Sequence, residues 1–111
     1  MNFVKYKPII MKTITCEEYK KKCEEGFDHV TLDVRTTEEF AEGHVEDAVN
    51  VPLPILDVKI GDVIPDKKTT IISCCKSGGR ATTALHMLEK MGYEDVRLLE
   101  GGYLGYCGKD A

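Results

Sequence analysis

Short runs of apolar and β-branched residues recur along the chain at Lys12–Thr15, Val30–Val34, Ala48–Val51, Thr69–Cys74 and Val96–Leu99, and each predicts a strand. Between them the apolar spacing changes to that of a helix face. Thr15 with Glu18 makes a capping-box pattern; Cys16, Tyr19 and Cys23 then share one face, predicted to lie in the core, before Gly26 closes the segment. Thr36 with Glu39 repeats the pattern ahead of Phe40 and stops at Gly43. Ala81, Ala84, Leu85 and Leu88 form a further stripe that ends near Gly92. Leu53 to Asp66, by contrast, is punctuated by Pro54, Gly61 and Pro65, and predicts an irregular connection with room for one short helical turn.

Strands alternating with helices, the central ones almost continuously apolar, predict an α/β layer fold: a mostly parallel sheet of about five strands with helices on both faces. In such sheets ligands sit beyond the carboxyl ends of the strands. Asp33-Val34-Arg35 and Cys75 both fall at such ends, so two separate segments converge on one candidate site.

The 111 residues fit one domain, taken here as 12–111, with 1–11 as an N-terminal extension that is disordered or an edge segment; Met11 is a candidate alternative start. The formal net charge of -4 argues against nucleic acid or an anionic membrane surface as the main partner, because both require a dense basic face. Five cysteines, two of them adjacent, in a chain that otherwise reads as regular α/β structure, point to reduced thiols rather than a disulfide scaffold. No apolar stretch approaches the roughly 20 residues of a membrane span, and Met1–Ile10 lacks a secretory pattern, so a cytoplasmic location is expected.

Cys75-Lys76-Ser77-Gly78-Gly79-Arg80 lies between the apolar run ending at Cys74 and the helical stripe beginning at Ala81. A cysteine at a strand end, followed by a glycine-containing loop and a helix start, sets sulfur in a bowl of backbone N–H groups suited to an anion. Those amides, with Lys76 and Arg80, are expected to lower the thiol pKa and hold an accessible, reactive thiolate.

Loop size selects the substrate. Five residues between cysteine and arginine resemble the tyrosine phosphatase signature, whose cradle takes a phosphoryl group, whereas four resemble the rhodanese signature, whose tighter cradle suits a persulfide sulfur. Counted from Cys75 to Arg80 there are four, and from Cys74 there are five, so the count alone leaves both open. Strand phase favours Cys75 as the first loop residue and Cys74 as a packed strand residue.

Several separate motifs agree from Met11 onward. Leu32-Asp33-Val34-Arg35, Glu38-Glu39-Phe40, Gly43-His44-Val45 and Ala48-Val49-Asn50-Val51-Pro52 precede the Cys75–Arg80 loop, and Leu99-Glu100-Gly101-Gly102-Tyr103 follows it. Together they resemble a single-domain rhodanese-like protein. The resemblance implies a sulfurtransferase: Cys75 attacks the outer sulfur of thiosulfate or a polysulfide, holds it as a persulfide, and passes it to cyanide or a thiol. It further implies Lys76, Ser77, Gly78, Gly79 and Arg80 as the substrate-binding cradle, no metal or organic cofactor, and a small-molecule donor with a small or protein acceptor. A non-enzymatic binding or sulfur-carrier module is the alternative, and a cysteine-dependent phosphatase or arsenate reductase the third choice. The chain departs from the family pattern at Ala81, where serine is common, at Glu46-Asp47 in place of proline and glycine, and at Tyr106 in place of tryptophan.

Other residues carry structural readings. Asp33 and Arg35 suit an ion pair or loop support at the pocket, and His44 a hydrogen-bonded structural role, since a thiolate needs no base. Lys20-Lys21-Lys22 reads as a solvated helix face, Cys107 as an exposed thiol, and the cysteine spacing makes no zinc site.

Overall fold

The computed structural model describes residues 11–108; the expectation placed on residues 1–10 lies outside them. Five strands, β1 (Thr13–Ile14), β2 (Val30–Asp33), β3 (Val49–Asn50), β4 (Thr70–Cys74) and β5 (Asp95–Leu99), form one sheet in the order β1-β5-β4-β2-β3. All four pairings are parallel, with Asp33 opposite Cys74 and Ile72 opposite Arg97 fixing the central register. The sheet is thus wholly parallel, and β4 is its middle strand.

The helices are α1 (Cys16–Glu24), α2 (Thr37–Glu42), α3 (Leu56–Val63), α4 (Gly79–Lys90) and α5 (Gly102–Tyr106). Both capping boxes form: the Thr15 and Thr36 hydroxyls accept the N–H groups of Glu18 and Glu39, whose carboxylates accept the Thr15 and Thr36 N–H groups in return. Strand alternation divides the core in two. Leu32, Val34 and Ile71 pack beneath Leu56 and Ile60 of α3 and Leu85 and Leu88 of α4. On the other face Ile14, Val45, Ile72, Cys74 and Leu99 pack against Tyr19 of α1 and Tyr103 and Tyr106 of α5.

The connection from Leu53 to Asp66 corrects the expectation of an irregular segment. A 3-10 turn over Leu53–Ile55 leads directly into α3, whose Leu56 and Ile60, with Ile64 capping its C-terminus, recur every fourth residue and are buried. Pro54 lies in the preceding turn and Gly61 on the exposed side, so neither interrupts that stripe. Cys23 is a second correction, being exposed rather than in the core. It sits in the last turn of a nine-residue helix, past Tyr19, the residue through which α1 reaches the sheet.

Two substitutions test α3. Ile60→Ala removes a fully buried side chain and is expected to lower stability by about 2–5 kcal/mol. Gly61→Ala should raise it by roughly 0.5–1 kcal/mol, because an added Cβ meets nothing within 4 Å and the helix gains in propensity. Urea unfolding of both variants gives the values; a neutral or harmful Gly61→Ala would contradict the helix.

Candidate functional site

Cys75 is the first residue after β4, and Gly78, at φ +125, caps the start of α4. That backbone conformation suits glycine and turns the Gly78 N–H onto the Cys75 Sγ at 2.9 Å. Gly78 is fixed from the other side, its carbonyl accepting both the Thr82 N–H at 2.9 Å and the Thr82 hydroxyl at 2.8 Å. Among the described residues, the amide that reaches the sulfur is that of Gly78. Cys75 is 1% exposed and belongs to the apolar cluster that includes Val34 and Ala81. The expectation of an accessible sulfur ringed by all the loop amides is therefore corrected: strand alternation carries the side chain under the loop, which closes over it. Lys76, Ser77 and Gly79 are exposed.

The loop is held from outside by α5. Tyr103 N–H donates to the Cys75 carbonyl at 2.8 Å and Leu104 N–H to the Lys76 carbonyl at 3.1 Å. In a trans peptide the C=O and the following N–H point opposite ways. Anchoring those two carbonyls on α5 thus directs the Lys76 and Ser77 N–H groups away from it. Gly102 permits the approach: it has φ +59, and a Cβ there would lie 2.5 Å from the Cys75 oxygen and 2.6 Å from the Lys76 oxygen.

Asp33 and Arg35, at the end of β2, form a buried pair. The Arg35 guanidinium donates to both Asp33 oxygens, at 2.7 Å through Nη2 and 3.0 Å through Nε, and again to the Gly43 carbonyl at 2.7 Å. It also lies 4.6 Å from the centre of the Tyr103 ring, while Asn50 Nδ2 donates to the Asp33 and Arg35 carbonyls. This pair ties the ends of β2, α2 and α5 together. His44 has a structural geometry: its ring stacks on Phe40 at 3.7 Å, and Nδ1 lies 2.8 Å from the Phe40 carbonyl.

Arg80 is already engaged. Its guanidinium meets the Glu39 carboxylate through two bonds of 2.6 and 3.0 Å across 41 residues of sequence. The Arg80 hydrogen bond is the main cause holding the Glu39 carboxyl down to about 2, with the Thr36 cap adding to it. Beside this pair a cavity of about 350 Å³ opens, lined by Val34, Thr36, Glu38, Leu53 and Arg80. The sequence named Glu39 as a cap and Asn50 and Gly102 within motifs, but gave none of them, nor the α5 amides, a place at the loop.

Cys74 is buried like its neighbour but on the opposite face of the sheet. It is fully buried on the α1/α5 face, and its thiol is pushed up to about 12, first by burial and then by the nearby Asp33 and Cys75. It stays protonated at neutral pH. Among the described residues no group of three or more His, Cys, Asp and Glu is placed to hold a metal ion, and no helix is long and apolar enough to cross a membrane.

Two outcomes test this frame. Gly102→Ala should cost about 2 kcal/mol or more in urea unfolding, because a left-handed backbone and two carbonyl contacts oppose the new methyl; a cost below about 0.5 kcal/mol would contradict the clamp. Because the Glu39 carboxyl is depressed, its stabilisation is complete above the ordinary range near pH 4.5 and is lost as pH falls toward about 2. Wild type should therefore exceed Glu39→Gln in stability above pH 5, with the gap closing by pH 2, and with a modest size because the Arg80 side chain is 37% exposed.

The sequence matches the rhodanese-like domain family over residues 15–109. It is similar to thiosulfate sulfurtransferase PspE of Escherichia coli (strain K12), at 35% identity over 65 residues that make up 59% of this chain and 62% of that protein. It is similar also to a sulfurtransferase of Allochromatium vinosum, at 27% identity over 98 residues, 88% of this chain and 90% of that one. The chain spans 20–62% of the length of four of the curated relatives it matches. A crystal structure of a rhodanese-like domain protein from Staphylococcus aureus aligns with a TM-score of 0.74 at 32% identity, covering 86% of this chain and 91% of that one. A five-stranded parallel sheet, a cysteine loop opening from its middle strand and a match across nearly the whole chain agree: the protein belongs to the rhodanese-like domain family.

Proposed function

We propose that the protein is a sulfurtransferase in which Cys75 takes a sulfane sulfur from thiosulfate or a polysulfide and passes it to cyanide or a thiol. The observation that carries this reading is the Cys75 Sγ at the carboxyl end of the central strand, with the Gly78 N–H donated to it at 2.9 Å. The Cys75 thiolate attacks the outer sulfur of the donor, the bond from that sulfur to the rest of the donor breaks, and the leaving group departs with the electron pair as sulfite or a shortened polysulfide. The acceptor then attacks the outer persulfide sulfur and returns Cys75 to thiolate. The Gly78 N–H stabilises the anionic sulfur of the resting thiolate.

Access sets the terms of substrate choice. Arg80 is neutralised by Glu39, and Glu38 lines the same cavity, so a dianionic donor gains less attraction than the loop cations alone suggest. Lys76 is the exposed cation at the loop, and Arg80 serves the donor after exchanging partners. The 1% exposure of Cys75 favours a second reading, a sulfur-carrier module whose loop opens against a protein acceptor. The phosphatase reading lacks support, since its five-residue cradle starts at Cys74, a thiol held protonated on the opposite face.

Intact mass after thiosulfate or polysulfide treatment is the direct test. A gain of roughly 32 Da in wild type and none in Cys75→Ser is expected for a persulfide; no gain with any small sulfane donor would move the weight to the carrier reading. Glu39→Gln retains a capping side chain but releases Arg80, so KM for thiosulfate should fall by roughly three- to tenfold at low salt, with the effect shrinking as salt rises. Steady-state cyanide assays check it.

A further inference from the structure

We propose that Cys23 and His29 form a second thiol site, separate from the Cys75 loop, that exchanges with a small zwitterionic disulfide of the aminoacyl type. A cavity of about 610 Å³ lies against α1, within the range of small-molecule sites. Cys23, His29 and Phe27 line it together with Lys20, and its lining includes Tyr19 and Thr31 of the α1/α5 side. None of these residues belongs to the Cys75 loop, which leaves the far end of the sheet on the opposite face.

The Cys23 Sγ lies 3.9 Å from His29 Nε2. His29 Nδ1 is 2.7 Å from the Phe27 carbonyl, which can only accept, so Nδ1 carries the proton and a neutral ring offers its lone pair at Nε2. The ring is fixed by stacking on Phe27 at 4.6 Å and by the edge-on Tyr19 ring at 5.4 Å. The Tyr19 hydroxyl, 3.3 Å from Nε2, lies 2.5 Å from Thr31 Oγ1, and donating its proton to that oxygen leaves the Nε2 lone pair to the exposed thiol. Cys23 occupies the last turn of α1, and its thiol faces the cavity beside the His29 ring. That arrangement of nucleophile, base and orienting group is the one nucleophilic sulfur chemistry requires.

The rim selects the partner. Lys20, whose ammonium donates to the Tyr106 carbonyl at 2.7 Å, lines the cavity together with Glu24, Glu46 and Asp47, so both signs of charge border one space and suit a ligand bearing ammonium and carboxylate groups. His29 Nε2 takes the Cys23 proton, the thiolate attacks one sulfur of the disulfide, and the disulfide bond breaks as the Cys23 mixed disulfide forms. The departing thiolate recovers the proton, so Cys23 is oxidised as the leaving sulfur is reduced.

The full chain incubated with oxidised glutathione, then digested without reduction, reports the adduct at each cysteine. Exposed Cys107 is the internal standard. Expected are an adduct at Cys23 forming about tenfold or more faster than at Cys107, saturation with glutathione disulfide, and a fall to the Cys107 rate in His29→Gln with Cys107 itself unchanged. Equal rates in wild type, a linear concentration dependence, or an unaffected His29→Gln would each overturn the site. If that variant does not fold, the wild-type ratio and saturation decide. Equally fast, saturable reaction with neutral hydroxyethyl disulfide would overturn the zwitterionic assignment.

Discussion

The arrangement turns on two hydrogen bonds that the sheet does not make: the N–H groups of Tyr103 and Leu104 donated to the carbonyls of Cys75 and Lys76. A loop leaving the middle strand has no neighbouring strand to satisfy its carbonyls, and a buried unpaired carbonyl is costly. The first turn of a helix carries N–H groups in need of acceptors. Joining the two satisfies both, and peptide planarity then fixes which way the loop amides face. Gly102 is the steric condition, since a side chain there would occupy the space the carbonyls use. The same helix sends Tyr103 over the Arg35 guanidinium, so the α5 clamp and the Asp33–Arg35 pair brace one another.

The two ion pairs near the loop belong to different energetic regimes. Asp33 is fully buried and Arg35 is 4% exposed, and Nη2 also meets the Gly43 carbonyl; such a pair is chiefly a constraint on geometry, since losing one partner would strand a charge without water. Glu39 and Arg80 are partly exposed, so their attraction is screened and their exchange with solvent or an anionic ligand is affordable. The rigid pair shapes the site and the looser one is able to respond to what enters it. This division fits a chain of net charge -4, in which the positive charge at the site is balanced locally rather than pooled.

Much of this was legible in the amino-acid order. The strands announced themselves by β-branched runs, two helix starts by Thr-x-x-Glu, and the position of Cys75 by the phase of β4. Helix α3 was hidden because Pro54 and Gly61 signal interruption while the fourfold spacing of Leu56, Ile60 and Ile64 signals continuity, and burial of that stripe outweighs the local punctuation. Cys23 shared the helical phase of Tyr19, yet phase says nothing of where a short helix outruns the sheet beneath it. The Glu39–Arg80 pair and the carbonyls under Gly102 arise from residues far apart in sequence, and no local pattern encodes such a meeting.

Adjacent Cys74 and Cys75 show how little of a thiol's chemistry resides in its identity. One residue apart, they fall on opposite faces of the sheet because side chains alternate along a strand. Cys74 is the last residue in register with β2, opposite Asp33, so it meets apolar packing and a neighbouring carboxylate, and both oppose ionisation. Cys75 has left the ladder, and the first turn beyond it returns a glycine N–H to its sulfur. A shift of register by one residue would exchange the two environments, giving the amide to the sulfur now beside Asp33. The register is held by Leu32 and Ile71 packed on one face and Ile72 on the other, against different helices, so the packing of β2 and β4 also decides which sulfur receives the glycine amide.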